Sequence, residues 1–262
     1  MNDLAERIKN IKQSNDFRRV DLEGPVLVAH QPQFLPWLGF VSKAAMGDIY
    51  LIHDIDQFKK ETFENRNRIR VHQDPGWEWV TIPVKDKNSI KMMQEVEIIQ
   101  GNWKKKYSKT FKYSYSQSPY FGNYYEDIMK LLWKDEIFLH LFNKEIIKYA
   151  FKQFNINVPL FYSSDLVKNG FDIDGKGTDF LIKICKVFNA KTFIAGQMGK
   201  EYIDFDRFKY EGIQLIFQVF NHPQYTQIHG EFIPYMSFID LLFNHGDDSI
   251  DILGKSDYEL AK

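Results

Sequence analysis

The stretch that decides the fold covers residues 26–54 and reads VLVAHQPQFLPWLGFVSKAAMGDIYLIHD. Residues 26–29 and 49–52 are short apolar runs, which are typical of parallel strands buried on both faces. Between them, apolar residues recur from Trp37 at close to a 3.6-residue period, and Gly47 ends the predicted helix. The stretch therefore predicts two neighbouring parallel strands joined by a helix with a right-handed crossover.

Polar side chains follow both predicted strands. His30 and Gln31 end the first strand, and Asp54 ends the second. Because ligands of such sheets bind at the carboxyl ends of the strands, we expect these side chains to share a site. His53 is expected to point to the opposite face of its strand and to be structural.

His30 is the predicted general base, because imidazole titrates near neutral pH; a buried histidine that locks the loop is the alternative. Asp54 and Asp56 lie on one face if the strand continues. Together with His30 they could orient an ammonium group, raise the pKa of a base or hold a divalent cation. We expect no metal, since two acids without a third ligand do not specify one.

The densest cationic cluster lies in residues 59–70, which we predict to be a polar loop. Arginine binds phosphate oxygens through paired N–H donors, and asparagine bonds sugar hydroxyls. A pyrophosphate in a nucleotide-linked sugar is therefore the candidate ligand, and a solvated surface loop is the alternative. The candidate ligand-binding residues are Asn65, Arg66, Asn67 and Arg68.

Length and composition are those of one globular α/β protein. The chain has 262 residues, 44% of them apolar, and a net charge of −1, which argues against general nucleic-acid binding. One cysteine excludes an internal disulfide and suits the cytoplasm, and no apolar run approaches the roughly 20 residues of a membrane span. We therefore expect a cytoplasmic protein without a membrane span.

The alternation of strands and helices predicts a mainly parallel sheet flanked by helices. We divide the chain into an N-terminal lead-in (1–24) and a single α/β domain (25–262) with a helical insertion at about 102–156. Further strands are predicted at 79–84, 95–99, 160–162, 192–195 and 213–220. Further helices are predicted at 103–115, 124–133, 138–154, 178–188 and 238–243.

Six segments together resemble the WbqC-like family. They are HQPQFLPWLGF (30–40), DIDQF (54–58), NRNRI (65–69), WVTIPV (79–84), YTQ (225–227) and SFIDLLFNHG (237–246). The resemblance implies a role in bacterial surface-polysaccharide (O-antigen) biosynthesis, with an aminoacyl or acyl group attached to an amino sugar. It also adds Tyr225 and Gln227 to the expected substrate-binding residues, which include Gln31 and Gln57 from their positions after the two strands.

The start of the predicted helix also resembles the nucleotidylyltransferase superfamily, whose fold is Rossmann-like. That superfamily has His-x-Gly-His where this chain has Trp37-Leu38-Gly39-Phe40. Both histidines are missing, so the resemblance supports the fold and puts adenylyl transfer in doubt.

The sequence offers no clear nucleophile. Cys185 lies on an apolar helix stripe and is expected in the core, and Ser163 and Ser164 are as well suited to helix capping. We therefore expect a transferase in which the amine of a nucleotide-linked amino sugar attacks an activated acyl or aminoacyl donor directly. That donor is a thioester or a similar compound, an acyl-carrier protein is a candidate partner, and no cofactor is expected. The alternative is a non-catalytic nucleotide- or sugar-binding protein.

Overall fold

The computed structural model describes residues 2–10, 22–85, 90–254 and 257–261. The predicted lead-in over 1–24 therefore lies largely outside the described residues, apart from the helix at Asn2–Lys9 and residues 22–24. The strands are β1 (Val26–His30), β2 (Ile49–Ile52), β3 (Arg66–Arg70), β4 (Trp77–Thr81), β5 (Leu160–Tyr162), β6 (Thr192–Ala195), β7 (Gln214–Val219) and β8 (Asp257–Leu260). The helices are α1 (Asn2–Lys9), α2 (Leu38–Ala45), α3 (Trp103–Tyr115), α4 (Phe121–Leu132), α5 (Leu139–Gln153), α6 (Ser163–Lys168), α7 (Thr178–Val187), α8 (Phe205–Tyr210), α9 (Phe238–His245) and α10 (Ser249–Leu253).

The main sheet is mostly parallel, which confirms the predicted α/β fold class. In the described chain its strand order is β5-β2-β1-β6-β7-β8, and only β8 runs antiparallel to its neighbour. The chain moves outward from β1 through β2 to β5, then returns to the other side of β1 with β6. The strand order therefore reverses between β1 and β6, and α/β sheets bind ligands at the carboxyl ends of strands beside such a point.

The opening unit contains the two neighbouring parallel strands that the sequence predicted. Strands β1 and β2 are parallel neighbours, with Leu27 opposite Ile49 and His30 opposite Ile52. Helix α2 connects them, and all of its residues are buried. At its start, a side chain on Gly39 would overlap the indole ring of Trp37, so the helix can begin in this way only with glycine there.

Apolar side chains fill both sides of the sheet. Along β1, Val26 and Val28 belong to one core cluster, and Leu27 belongs to the other. The first cluster also contains α2 and the helical layer α3–α5, whereas the second contains α7. The strands are thus apolar throughout because both of their faces are covered.

The prediction of a polar loop over residues 59–70 is wrong for the second half of that segment, which forms a strand. Strand β3 pairs antiparallel with β4, with Arg68 opposite Trp79, in a separate two-stranded sheet. The strand was hidden because its buried positions include the polar Asn67 and its outward positions are arginines. Alternation of apolar and polar residues, which normally marks a strand, is therefore missing.

The predicted strand at 95–99 is also wrong. A 3₁₀ turn covers Met93–Glu95, and the rest pairs only through isolated bridges, Val84 with Ile98 and Glu97 with Phe138. The apolar residues Val96 and Ile98 are buried against the helical layer instead of a sheet.

Candidate functional site

The candidate site lies at the carboxyl ends of β1 and β2. His30 is the last residue of β1, partly buried, and its ring Nδ1 lies 2.9 Å from the Gln31 carbonyl oxygen. Because a carbonyl only accepts, Nδ1 carries the proton and Nε2 keeps its lone pair. Burial, and then the positive charge of Lys43, lower the pKa of His30 to about 3. His30 is therefore neutral at physiological pH, and its pKa lies well below the near-neutral range on which the prediction of a general base rested.

A direct hydrogen bond joins the two strand ends. The Gln31 side-chain amide donates to an Asp56 carboxylate oxygen at 2.6 Å, while the other Asp56 oxygen accepts from the Gln57 backbone N–H. The structure thus brings together Gln31, which follows β1, and Asp56, which follows β2, and the predicted site that they share with the His30 side chain stays a prediction. The Gln57 side chain is exposed, and its predicted contact with substrate stays a prediction.

Asp54 is a helix-capping residue in the structure. Its two carboxylate oxygens accept hydrogen bonds from the backbone N–H and the hydroxyl of Ser164, at 2.9 and 2.7 Å, and it is buried. Ser164 lies in the first turn of α6, where backbone N–H groups lack helical partners. Both oxygens are thereby occupied, so we do not retain Asp54 as a participant in the chemistry.

A cavity of about 490 Å³ opens beside Asp56, and His53 lines it together with Phe180. The His53 ring packs on the Phe180 ring with 4.0 Å between centroids, and its Nδ1 lies 3.3 Å from the Ser163 hydroxyl. Burial lowers the pKa of His53, against the opposing charges of Asp56 and Asp54. The sequence predicted a structural role for His53. Its position one residue past the end of β2 could have indicated that it lines this cavity.

Lys43 is a second residue that sequence reasoning missed. It lies in the last turn of α2, and its side chain runs back toward the carboxyl end of β1, where the ammonium meets the Ala29 carbonyl oxygen at 3.3 Å. Burial lowers the pKa of Lys43 to about 8. Its position in the sequence could have identified it, because a lysine three residues after Phe40 lies on the apolar face of the predicted helix.

Glu64 is a third such residue. It is buried, and one carboxylate oxygen accepts a hydrogen bond from the Lys59 backbone N–H at 2.9 Å. Burial raises the pKa of Glu64 to about 7, with a smaller contribution from the negative charge of Asp56. No sequence pattern marks this residue, because helix α5 covers it only in the folded chain, through Asn143.

Two arginines of β3 stack on the tryptophans of β4. The guanidinium of Arg66 lies 4.2 Å from the Trp79 ring centroid, and that of Arg68 lies 5.0 Å from the Trp77 ring centroid. Arg68 also donates to the Pro234 carbonyl oxygen at 3.3 Å. Among the described residues neither guanidinium has a carboxylate partner, so this partly exposed face carries two uncompensated positive charges.

The two asparagines next to these arginines donate hydrogen bonds to the backbone. Asn67 donates to the carbonyl oxygens of Leu35 and Phe34, at 2.6 and 3.3 Å, and Asn65 donates to that of Ile82. Both are buried, so their predicted contact with sugar hydroxyls has no support from their positions.

Tyr225 and Gln227 are likewise buried, in a network centred on Asp240. Its carboxylate accepts hydrogen bonds from the Tyr225 and Tyr115 hydroxyls and from the Gln227 amide, at 2.8, 2.9 and 2.8 Å. These partners occupy the polar atoms that were expected to contact substrate. We therefore assign Tyr225 and Gln227 to the packing of the domain.

Neither serine nor cysteine offers a reachable nucleophile at this edge. Cys185 and Ser163 are fully buried, and burial raises the pKa of the Cys185 thiol.

Within the described ranges, no three His, Cys, Asp or Glu side chains are grouped as a metal site requires. None of the described helices has the length and apolarity to cross a membrane.

Fold and site define an α/β protein with a Rossmann-like strand order and a group of polar side chains at the carboxyl edge of its sheet. The model of the WbqC-like protein family matches residues 31–252, and the chain belongs to that family. The uncharacterized protein Rv1507c of Mycobacterium tuberculosis is 28% identical over 227 residues, which cover 85% of this chain and 95% of that protein. No solved structure matches the chain significantly.

Proposed function

We propose that this protein is an amide-forming transferase that joins an acyl or aminoacyl group to the amine of a nucleotide-linked amino sugar in surface-polysaccharide biosynthesis. The observation that carries the proposal is the 2.6 Å hydrogen bond between Gln31 and Asp56, beside the neutral imidazole of His30. It joins two strand ends at an edge where α/β proteins bind ligands. The proposed location remains the cytoplasm.

In the proposed reaction the sugar amine attacks the carbonyl carbon of a thioester donor directly. A C–N bond forms, and the carbonyl π electrons move to the oxygen to give a tetrahedral oxyanion. Its collapse breaks the C–S bond and releases the thiolate. His30 Nε2 takes the proton from the amine nitrogen and returns it to the leaving sulfur. An acyl-carrier protein is a candidate carrier of the donor.

Arg66 and Arg68 are proposed to hold the diphosphate of the nucleotide. Their guanidinium planes are fixed on indole rings, and this pre-organises N–H donors for phosphate oxygens. Arg66→Ala combined with Arg68→Ala should weaken nucleotide-sugar binding in calorimetry by at least tenfold. The exposed Lys105→Ala variant is the control, and an affinity equal to wild type would remove these residues from the binding site.

Mass spectrometry of the nucleotide sugar that co-purifies with the protein would identify the acceptor. Incubation of that sugar with acyl and aminoacyl thioesters should then give an amide product of the expected mass. His30→Ala should lower turnover by about 10² to 10⁴ while the variant still binds the sugar. Normal turnover in that variant would remove His30 from the mechanism.

The second candidate function is non-catalytic binding of a nucleotide or sugar. The two arginines of β3 favour it, because their uncompensated charges suit a phosphate ligand whether or not chemistry follows. Tight binding of the co-purified sugar without amide formation from any donor tested would support this candidate over the transferase.

A further inference from the structure

In the part of the chain that the structure describes, two lysines are almost completely buried, and they differ in what surrounds the charge. Lys104 is 5% exposed, and its ammonium donates to the Lys134 carbonyl oxygen at 2.7 Å and lies 3.5 Å from an Asp135 carboxylate oxygen. Lys43 is 3% exposed, and its ammonium has only the Ala29 carbonyl oxygen, at 3.3 Å. In the described part of the chain no carboxylate pairs with Lys43.

Among the described residues, no other hydrogen bond or ion pair compensates the charge of Lys43. Phe40, Val41 and Ala44 of the same helix are buried in the apolar core, and the adjacent His30 is neutral. A buried charge is normally paired, because leaving water without a partner is costly. The Lys43 ammonium has three N–H donors and makes one long hydrogen bond. It therefore lacks the negatively charged partner that a buried cation normally has.

We infer that Lys43 provides the positive charge for a singly charged oxygen of the ligand, bound beside its ammonium at the carboxyl end of β1. The ammonium lies beside the residue that precedes the partly exposed His30, at the strand end where ligands of this fold bind. A single cation beside a neutral ring matches one negative charge, whereas a diphosphate matches the paired guanidiniums of Arg66 and Arg68. This inference rests on the proposed function, under which the bound oxygen is the oxyanion formed on the donor carbonyl.

The first test compares the stability of two variants. Lys43→Met removes a charge without a partner, so the variant should melt at or above the temperature of wild type. The matched Lys104→Met variant loses a compensated charge with its hydrogen bonds and should melt at least about 2 to 4 °C lower. A Lys43→Met variant that melts as low as Lys104→Met, or fails to fold, would overturn the inference, because Lys43 would then be a structural residue.

The second test uses small anions at constant ionic strength, with chloride replaced by acetate or by pyrophosphate. Acetate carries one negative charge and should raise the melting temperature of wild type and of Arg66→Met, but not of Lys43→Met. Pyrophosphate should stabilise wild type and Lys43→Met, and Arg66→Met much less. An acetate response that Lys43→Met retains in full, or that wild type lacks, contradicts the inference.

A kinetic readout connects this charge with the proposed reaction. Lys43→Met should lower kcat by about 10² to 10³, as the loss of an oxyanion donor does, with little change in KM for the nucleotide sugar. If wild type itself has no transferase activity, the proposed function fails, and the anion test still decides whether Lys43 binds a singly charged oxygen.

Discussion

At the residue scale, burial controls the charge of the groups around the candidate site. It is the largest cause of the lowered pKa values of His30 and Lys43 and of the raised pKa of Glu64. Removal from water disfavours the charged form of each group, so cations titrate at lower pH and carboxylates at higher pH. The consequence is a site with two side chains, Lys43 and Glu64, that change protonation within about one unit of neutral pH.

Glu64 should make the stability of the protein depend on pH. Its pKa is about 7 in the folded chain and 4.5 in the reference state, so the folded protein holds the proton more tightly. The free energy of unfolding should therefore fall as pH rises from 4.5 to 7, by roughly 3 kcal/mol in total. Glu64→Gln should remove this slope in urea titrations between pH 5 and 8.

The exposed Glu126 provides the control for that titration, because a glutamine there removes a solvated charge. If Glu64→Gln and wild type lose stability in parallel over this range, burial of Glu64 is not the cause of the pH dependence.

At the element scale, the connection between β1 and α2 determines the shape of the site. Leu35 in this connection has a positive φ of 44°, which is unfavourable for a leucine, and Asn67 of β3 holds the carbonyl oxygen of that residue at 2.6 Å. The Phe34 backbone N–H donates to the Phe63 carbonyl oxygen at 2.9 Å. The hairpin β3–β4 thus fixes the loop that follows His30.

The start of α2 should be sensitive to the smallest substitution. Gly39→Ala would place a methyl group in the space of the Trp37 indole, and such overpacking typically costs about 1 to 3 kcal/mol. The indole also contacts Phe220 and Tyr235, with ring centroids 5.4 and 5.8 Å away, so its displacement disturbs both. Chemical denaturation should show the loss.

Gly122→Ala is the matched control, because a Cβ atom at this position of α4 meets nothing within 4 Å. Alanine is the better helix former, and this variant should gain about 0.5 to 1 kcal/mol. Equal stability changes in the two variants would mean that the Trp37 contact does not constrain Gly39.

At the scale of the whole molecule, a buried polar network connects segments that are far apart in the sequence. Asp240 on α9 accepts from Tyr115 on α3, and the Tyr115 hydroxyl in turn accepts from the Arg70 backbone N–H at 2.8 Å. The Arg70 side chain is buried and donates to the carbonyl oxygens of Gly76, His229 and Glu231. The hairpin is therefore attached to the helical layer and to the segment before α9.

Tyr115→Phe should destabilise the molecule by about 1 to 3 kcal/mol, because it leaves Asp240 and the Arg70 N–H each without one buried partner. Tyr210→Phe on α8, where the ring is 90% exposed, should change stability by less than about 0.5 kcal/mol. Equal effects in urea unfolding would show that the network contributes nothing to stability.

Sequence patterns identified those elements whose apolar residues follow one period. Helices α3 and α7 and strand β6 lie within one residue of their predicted bounds. Strand β3 was missed because its buried Asn67 is polar, and the segment at 95–99 was misjudged because apolar residues alone do not distinguish a buried turn from a strand. The proximity of Gln31 and Asp56 was predictable because parallel strands end at the same edge, whereas the roles of His30, Gln31 and Asp56 stay predictions.

The sequence by itself determined that β1 and β2 are parallel neighbours and that the chain belongs to its family. It also determined the end of the strands at which polar residues meet. Only the tertiary structure decided which of those residues remain free to act. Asp54, Tyr225 and Gln227 each have a hydrogen-bond partner at least 13 positions away in the chain, and Lys43 lacks a carboxylate partner among the described residues. Hydrogen-bond partners and burial depend on contacts between distant segments, and local patterns of residue type do not encode such contacts.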